Sequence, residues 1–123
     1  MIVKRDYRIP SLRDGLELLL RNKHSSNEDQ RLPGMTVLFV HGATYGSSDT
    51  FDYEIEGMSW MDQLAGLGFD AWCLDLLGYG QSDRPAEMNE PPEDNANKAF
   101  DQRYPEQQIA ESTVAWNLHR KRQ

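Results

Sequence analysis

Cysteine is almost absent from this sequence of 123 residues, in which Cys73 is the only one. A single thiol excludes a disulfide framework and a zinc site built from cysteines, so we expect Cys73 to be a small apolar residue of the core. The acidic segment that ends at Glu56 lacks the spacing of a calcium loop. We therefore expect no bound metal and no other cofactor, and we expect the acids of this segment to be solvated: Asp49, Asp52, Glu54 and Glu56.

Long apolar runs are also missing. The stretch Leu16–Leu20 is far too short to span a bilayer, and the charged amino terminus, MIVKRDYRIP, has no apolar core of signal-peptide length. Only roughly a fifth of the residues are Leu, Ile, Val or Phe, which is close to the range where disorder begins. These absences predict a cytoplasmic protein that does not bind membranes.

Positive charge is in deficit as well. The chain has 13 Lys and Arg residues against 20 Asp and Glu residues, so its formal net charge is −7 and its pI is about 4.8. A negatively charged chain repels phosphate backbones, and nucleic acid is therefore not an expected partner. The length suits one domain or part of one.

The most distinctive stretch that is present is TVLFVHGATYG, residues 36–46. Val37–Val40 follow one another without a polar residue between them, which is typical of a strand covered on both faces. Gly42 and Gly46 then predict a sharp turn, because glycine adopts backbone angles that other residues resist. Open α/β sheets bind ligands at the carboxyl ends of their strands, so this turn is a candidate ligand-binding loop.

The residues before this stretch predict a β-hairpin. Ile2–Ile9 alternates loosely between apolar and polar residues, as a strand with one exposed face does. The dipeptide Asp14-Gly15 favours a turn, and Leu16–Arg21 is expected to return as the second strand. Residues 22–34 are polar and end in Pro-Gly, which predicts an exposed loop with His24 as a solvated loop histidine.

Residues 59–77 predict a helix followed by another buried strand. Ser59 and Asp62 resemble a capping box, and Gly68 is expected to end the helix in the left-handed conformation. Phe69–Leu77 is then the next strand, and with the strand at 36–41 it makes a βαβ unit whose strands we expect to be parallel. The apolar residues of the helix recur at helical spacing and predict one buried stripe: Trp60, Met61, Leu64 and Leu67.

Two segments at the ends of these strands form an ordered pair of motifs. His41-Gly42 ends the first strand, and DLLGYGQS, residues 75–82, ends the second. In this order and at this spacing, the pair resembles the amino-terminal half of the α/β-hydrolase superfamily, in its esterase, lipase and haloperoxidase-like branch. The resemblance implies an α/β fold class, the amino-terminal part of an α/β-hydrolase sheet, with an antiparallel hairpin, one βαβ unit and a final helix.

The resemblance implies one incomplete α/β-hydrolase domain over residues 1–123. Within it, residues 1–85 form the sheet and the first helix, residues 86–105 an exposed loop and residues 106–122 a helix. In the family's strand order, the strand at 36–41 becomes the edge of a four-stranded sheet with its apolar side chains exposed. We expect such an edge to promote association with another strand.

The resemblance also implies candidate site residues. An oxyanion loop consists of His41, Gly42 and Ala43, in which Ala43 supplies a backbone N–H, Gly42 makes the turn and His41 is structural rather than a catalytic base. A preorganised N–H donor lowers the barrier for a developing oxyanion by roughly 3–4 kcal/mol. A second loop lies beside the active site without a chemical role, and it carries Asp75, Gly78, Gly80 and Ser82.

The catalytic residues of the family are missing. Gly57-x-Ser59 resembles the start of a Gly-x-Ser-x-Gly nucleophile elbow, but Met61 occupies the second glycine position and no apolar strand precedes the motif. The implied elbow, acid and histidine base would all lie beyond Gln123, so no residue of this chain is assigned as catalytic. We expect a serine-hydrolase type of protein that acts on a small ester-like substrate in its complete form and is inactive as this chain alone.

Three interpretations are open. The first is this incomplete hydrolase, whose partner would be a complementing carboxyl-terminal half or a second copy of the chain. The second is a non-catalytic interaction module that retains half of the fold. The third is a small nucleotide-binding α/β protein, although Asp83 stands where a dinucleotide fingerprint beginning at Gly78 needs its third glycine.

Overall fold

The computed structural model describes residues 1–89. Its elements are β1 (Ile2–Pro10), β2 (Glu17–Ser25), β3 (Thr36–Val40), α1 (Ser47–Thr50), α2 (Trp60–Gly66) and β4 (Asp70–Leu74), with 3-10 turns at Glu28–Gln30 and Ala86–Asn89. In this part of the chain, no helix has the length and apolar character needed to cross a membrane. The predicted helix at 106–122, and the predicted loop at 86–105 beyond residue 89, lie outside the described residues.

The four strands form one mixed sheet in the order β1-β2-β4-β3. β1 and β2 are an antiparallel hairpin, in which Ile2 pairs with Ser25 and Pro10 with Glu17. β4 is antiparallel to β2 and parallel to β3, and α2 connects β3 to β4 in a βαβ unit. These directions confirm the predicted α/β fold class within residues 1–89, because the sheet has the expected antiparallel hairpin and one βαβ unit with parallel strands.

Apolar residues are buried on both faces of the sheet, since successive residues of a strand point to opposite faces. One cluster joins β1, β2 and β4, and its members include Ile9, Leu18, Leu20, Trp72 and Leu74. The other lies beneath α2 and contains Met61, Ala71 and Cys73. Cys73 is therefore a core residue, as predicted, and burial raises the pKa of its thiol to about 12.

β2 is longer than the sequence predicted. It continues to Ser25, whereas residues 22–34 were expected to form an exposed loop. Asn22 and Lys23 are buried, and His24 is half-buried with its Nδ1 2.9 Å from the carbonyl oxygen of Ser25. The prediction of a solvated loop histidine was wrong, because the antiparallel ladder with β1 runs through these polar residues.

One face of β2 carries a buried network of charges. Arg21 donates two hydrogen bonds to Asp6, from Nε to Oδ1 (2.8 Å) and from Nη2 to Oδ2 (3.1 Å), and a third from Nη1 to Asp52 Oδ2 (2.9 Å). Lys23 Nζ lies 2.6 Å from Asp52 Oδ1 and 2.7 Å from Asp62 Oδ1. The Asp52 side chain is only 4% exposed, so the prediction that this acid is solvated was wrong.

Opposite charges outweigh the cost of burying these groups. The hydrogen bond from Arg21 lowers the pKa of Asp6, and partial burial opposes this effect. Burial raises the pKa of Asp62, but the hydrogen bond from Lys23 helps to bring it below its ordinary value. Burial lowers the pKa of Lys23, but hydrogen bonds to Asp52 and Asp62 raise it overall. The charged network therefore fastens α2 and the segment before it to β2.

α2 begins at the predicted cap, but its apolar stripe is only partly buried. The Ser59 hydroxyl accepts a hydrogen bond from the Asp62 N–H (3.0 Å), and the Asp62 carboxylate accepts one from the Ser59 N–H (2.9 Å), which completes the capping box. Gly68 follows the helix with φ of +98°, as predicted. Met61 is buried, whereas two other members of the predicted stripe are exposed, Trp60 and Leu67.

β1 and β3 are the edges of the described sheet, and they differ in charge. β1 has several charged side chains and ends in a proline, features that discourage pairing with a further strand. β3 has no charged residue and no proline. Its predicted exposure was wrong in part, because only Val40 is exposed and Val37–Phe39 are half-buried. The rings of Phe51 and Trp60 cover Phe39, with centroids 4.6 Å and 5.5 Å from its own.

Asp52→Asn tests the charged network. The substitution removes the carboxylate that Arg21 and Lys23 share, but Arg21 keeps its bonds to Asp6 and Lys23 its bond to Asp62. The loss is therefore that of hydrogen bonds between charged groups, about 1.5–3 kcal/mol. We expect the free energy of unfolding, measured by urea denaturation, to fall by roughly that amount. Asp49→Asn is the matched control, because Asp49 is exposed and its loss should cost less than about 0.5 kcal/mol. Equal effects of the two substitutions would contradict the role assigned to the network.

Candidate functional site

The carboxyl ends of β3 and β4 bring the two predicted loops together. Because β3 and β4 are parallel neighbours, residues 41–46 and residues 75–82 leave the sheet at the same end. The backbone N–H of Leu76 donates to Nε2 of His41 (3.0 Å), and Gly46 lies against Gly80. The two motifs that the sequence singled out are therefore in contact.

His41 links these loops through both of its ring nitrogens. Since Nε2 accepts the N–H of Leu76, the ring proton is on Nδ1, which donates to the carbonyl oxygen of Gly42 (2.6 Å). His41 is 8% exposed, and its ring contacts that of Tyr79, with centroids 4.5 Å apart. With both nitrogens hydrogen-bonded inside the protein, neither is free to take a proton from a nucleophile.

Asp75 is a fully buried carboxylate that joins the same loops. Its Oδ1 accepts the N–H of Ser48 (2.8 Å), and its Oδ2 accepts the Ser48 hydroxyl (2.6 Å) and the N–H of Gln81 (3.0 Å). Three hydrogen bonds offset the cost of burying the charge. Asp75 thereby holds the first turn of α1 against the loop at 75–82.

Gly46 and Gly80 leave space for this carboxylate. A Cβ on Gly46 would lie 2.8 Å from Asp75 Oδ1 and 2.9 Å from the Cα of Gly80. A Cβ on Gly80 would lie 2.3 Å from Asp75 Oδ2, and the φ of Gly80 is +50°. These separations are shorter than real Cβ contacts, so the absence of side chains at both positions lets the two loops approach each other.

The rest of the loop at 75–82 is hydrogen-bonded to β2 and to itself. The buried Ser82 hydroxyl donates to the carbonyl oxygen of Asp75 and accepts the N–H of Leu19 (2.8 Å). Gly78 has φ of +87°, and its N–H donates to the carbonyl oxygen of Asp83 (2.8 Å). The Ser82 hydroxyl thus acts as donor and acceptor within the protein and does not face a substrate as a nucleophile.

The segment 42–45 is exposed, in contrast to its surroundings. The N–H of Ala43 has no hydrogen-bond acceptor among residues 1–89. The left-handed backbone angle of the turn lies at Thr44, with φ of +89°, and not at Gly42 or Gly46 as the sequence predicted. A β-branched residue is strained in this conformation, so the exposed loop carries strain at its centre.

A catalytic pair of serine and histidine is not found in the described part of the chain. Each buried serine between residues 47 and 82 donates its hydroxyl to a carbonyl or a carboxylate: Ser47 to Phe39, Ser48 and Ser82 to Asp75, and Ser59 to Asp52. Within residues 1–89, no three His, Cys, Asp or Glu side chains are grouped as metal ligands. These loops therefore offer one chemical group, the backbone N–H of Ala43 in the exposed segment 42–45. The buried hydrogen bonds of His41 and Asp75 hold this segment in place.

A separate cleft of about 290 Å³ lies at the opposite end of the same two strands. It is lined by the start of β3 and β4 and by residues before β3, including Leu32, Met35, Thr36 and Asp70. Open α/β sheets bind ligands at the carboxyl ends of their strands and not at this end. None of the predicted site residues lines the cleft, and it is therefore not the candidate site.

Gly46→Ala tests whether the two loops depend on their close approach. The new Cβ would collide with the Asp75 carboxylate and the Gly80 backbone, and overpacking of this kind costs about 1–3 kcal/mol. Gly42→Ala is the control in the same segment, because a Cβ there would meet nothing within 4 Å. We expect urea denaturation to show a loss of stability for Gly46→Ala alone. An unchanged Gly46→Ala variant would mean that the loops are not packed as described.

The chain was compared with known proteins by sequence family, by sequence and by structure. No family model matches the chain, and no curated protein matches it. Among solved structures, the chain is similar to a predicted CIB-like hydrolase from Thermoplasma acidophilum, with 14% sequence identity and a TM-score of 0.46. The match covers 85% of this chain and 46% of the other, so the chain spans about half the length of the hydrolase it is similar to.

Proposed function

We propose that this chain supplies the oxyanion side of a serine-hydrolase type of enzyme that acts on a small ester-like substrate in its complete form. The observation that supports the proposal is the N–H of Ala43, an exposed residue whose N–H has no acceptor among residues 1–89. It lies on a loop whose ends are fastened by His41 and, through Ser48, by Asp75. A fixed N–H stabilises the charge that develops on a carbonyl oxygen without reorganisation during the reaction.

The residues of the site have separate roles in this proposal. Ala43 donates to the oxyanion, and the turn that presents it has its left-handed residue at Thr44. His41 and Asp75 are positioning residues, because each binds the neighbouring loop with buried hydrogen bonds and touches no reacting atom. The loop beside the active site is shaped by Gly78, Gly80 and Ser82.

The nucleophile, the acid and the histidine base would come from a complementing carboxyl-terminal half. The uncharged edge of β3 is the place where such a half would continue the sheet, because β4 already has neighbours on both sides. Fold alone does not determine the substrate, and the ester-like class rests on the oxyanion donor.

Nucleotide binding has less support than hydrolysis. A dinucleotide site needs open space and backbone N–H groups near its glycines, whereas the Asp75 carboxylate lies directly against Gly80. A buried negative charge at this position repels phosphate. The side chain of Asp83, where the fingerprint needs glycine, instead accepts hydrogen bonds from Arg8 and from the N–H of Glu17.

A non-catalytic interaction module is the second candidate, and the edge of β3 favours it. This edge is uncharged, lacks proline and exposes Val40, so it resembles the edges that pair with strands of other chains. The module would use a second copy or another protein where the hydrolase would use its own second half. The two candidates differ in whether Ala43 has a chemical role.

The chain alone is expected to have no esterase turnover. Its buried serine hydroxyls are hydrogen-bonded to carbonyl or carboxylate oxygens, and an oxyanion donor without a nucleophile supplies only part of the rate enhancement. The measurement combines a short activated ester with a fluorophosphonate probe, and we expect neither hydrolysis above background nor labelling. Stoichiometric labelling of Ser59 or Ser82, with turnover lost on substitution by Ala, would contradict the assignment.

The role of Ala43 is testable in a longer gene product that encodes a Gly-x-Ser-x-Gly elbow. There, Ala43→Pro removes the N–H, and loss of one oxyanion donor lowers kcat by about 100- to 1,000-fold. Ala43→Gly keeps the N–H and is expected to retain most of the activity, with KM little changed in both variants. Equal losses in the two variants, or a reading frame without an elbow, would favour the interaction module.

A further inference from the structure

Residues 51–60 form a short projection, which we call the apolar hairpin. The N–H of Ile55 donates to the carbonyl oxygen of Met58 (3.0 Å), and the N–H of Met58 donates back to Ile55 (3.2 Å). The two residues between them, Glu56 and Gly57, have φ of +55° and +82°. Positive φ at both central positions is the signature of a type I′ turn, the tight turn of two-residue hairpins.

The base of the apolar hairpin is fastened to the core. The Ser59 hydroxyl donates to Asp52 Oδ1 (2.7 Å), and the same carboxylate is bound to Arg21 and Lys23 of the charged network. The N–H of Met61 also donates to the carbonyl oxygen of Phe51 (3.1 Å). A projection held in this way loses little conformational entropy when it binds a partner, which favours its use as a docking element.

The tip and flanks of the apolar hairpin expose large apolar side chains. Each of the following exposes at least half of its surface: Tyr53 (66%), Ile55 (71%), Met58 (50%) and Trp60 (58%). Tyr, Trp and Met are enriched at protein interfaces, and a group of exposed apolar residues on a rigid element marks an interaction site. Scattered single exposures would need no such explanation, but these four lie within eight positions of the chain.

Three exposed acids lie next to these apolar residues in the sequence. Asp49, Glu54 and Glu56 are all exposed. In the described part of the chain, none of the three lies within 4.0 Å of a Lys or Arg side-chain nitrogen. The surface therefore offers unpaired carboxylates beside an apolar patch, and it complements a partner that carries both apolar side chains and cations.

We propose that the apolar hairpin is a docking surface for a protein segment in which apolar side chains alternate with Lys or Arg. The apolar side chains of the partner would pack on Ile55 and Met58, and its cations would pair with Glu54 and Glu56. The ring of Trp60 contacts Phe39 and Phe51, but the residue is still 58% exposed, and its solvent-facing side offers a cation–π contact. The carboxylates disfavour an anionic membrane, which repels negative charge and attracts basic segments.

Three synthetic peptides of equal length test this proposal on the 123-residue chain. One is amphipathic and contains Leu and Lys, one contains Leu and Glu, and one contains Ser and Lys. We expect calorimetry at low salt to show that the Leu/Lys peptide binds at least about tenfold more tightly than either of the others, because it alone matches both features of the surface. If the Ser/Lys peptide bound equally tightly, the net charge of the chain alone would explain the affinity, and the proposal would be overturned.

Paired variants locate the binding surface. Ile55→Ser with Met58→Ser should weaken binding of the Leu/Lys peptide about tenfold, whereas Leu12→Ser, another exposed apolar position, should not.

A second pair of variants tests the charges. Glu54→Gln with Glu56→Asn removes two charges and keeps the turn, since Asn tolerates positive φ. Asp14→Asn with Glu28→Gln removes two exposed charges elsewhere. Circular dichroism checks that every variant is folded, and equal loss in a pair and its control would contradict the proposal.

Two further measurements examine the other possible occupants. Sedimentation of the chain without peptide reports self-association, and flotation with vesicles of phosphatidylcholine and phosphatidylglycerol reports membrane binding. We expect neither result to change when Ile55 and Met58 are replaced by Ser. Self-association or vesicle binding that the double variant abolishes would assign the apolar hairpin to that occupant and overturn the proposed one.

Discussion

The buried carboxylate of Asp75 determines how the loops above the sheet are arranged. Its oxygens accept hydrogen bonds from Ser48 and Gln81, which belong to segments that follow two different strands. Without that carboxylate, the N–H of the buried Ser48 would have no partner, and such a group costs about 1–3 kcal/mol. The close approach of Gly46 and Gly80, and the position of the exposed segment 42–45, follow from this one charged group.

The fold could be predicted where local pattern and tertiary environment agree. The apolar runs at 37–40 and 71–74 are strands in the structure, and Ser59 with Asp62 is the capping box that its spacing indicated. The length of β2 could not be predicted in the same way. Asn22 and Lys23 are polar, and they are buried because their partners, Asp70 and Asp62, lie more than thirty positions further along the chain.

The sequence predicted which two loops meet at the end of the sheet. It did not predict why glycine is needed at particular positions in them. The sequence suggested that Gly42 and Gly46 supply unusual backbone angles, whereas the structure puts the positive φ at Thr44. Gly46 is instead required by the carboxylate of a residue from the other loop, a contact that spacing along the chain does not reveal. The apolar hairpin could not be predicted either, because Glu56 has positive φ in its turn and glutamate is not a residue typical of two-residue hairpin turns.

Cys73 gives the protein a built-in chemical reporter. It lies in β4, which is paired with strands on both sides, and burial keeps its thiol protonated with a pKa of about 12. Alkylating reagents react with the thiolate, so they would modify only those molecules in which the middle of the sheet has opened. Because the chain has no other cysteine, the alkylation rate under native conditions would measure the free energy of that opening directly, without an introduced label.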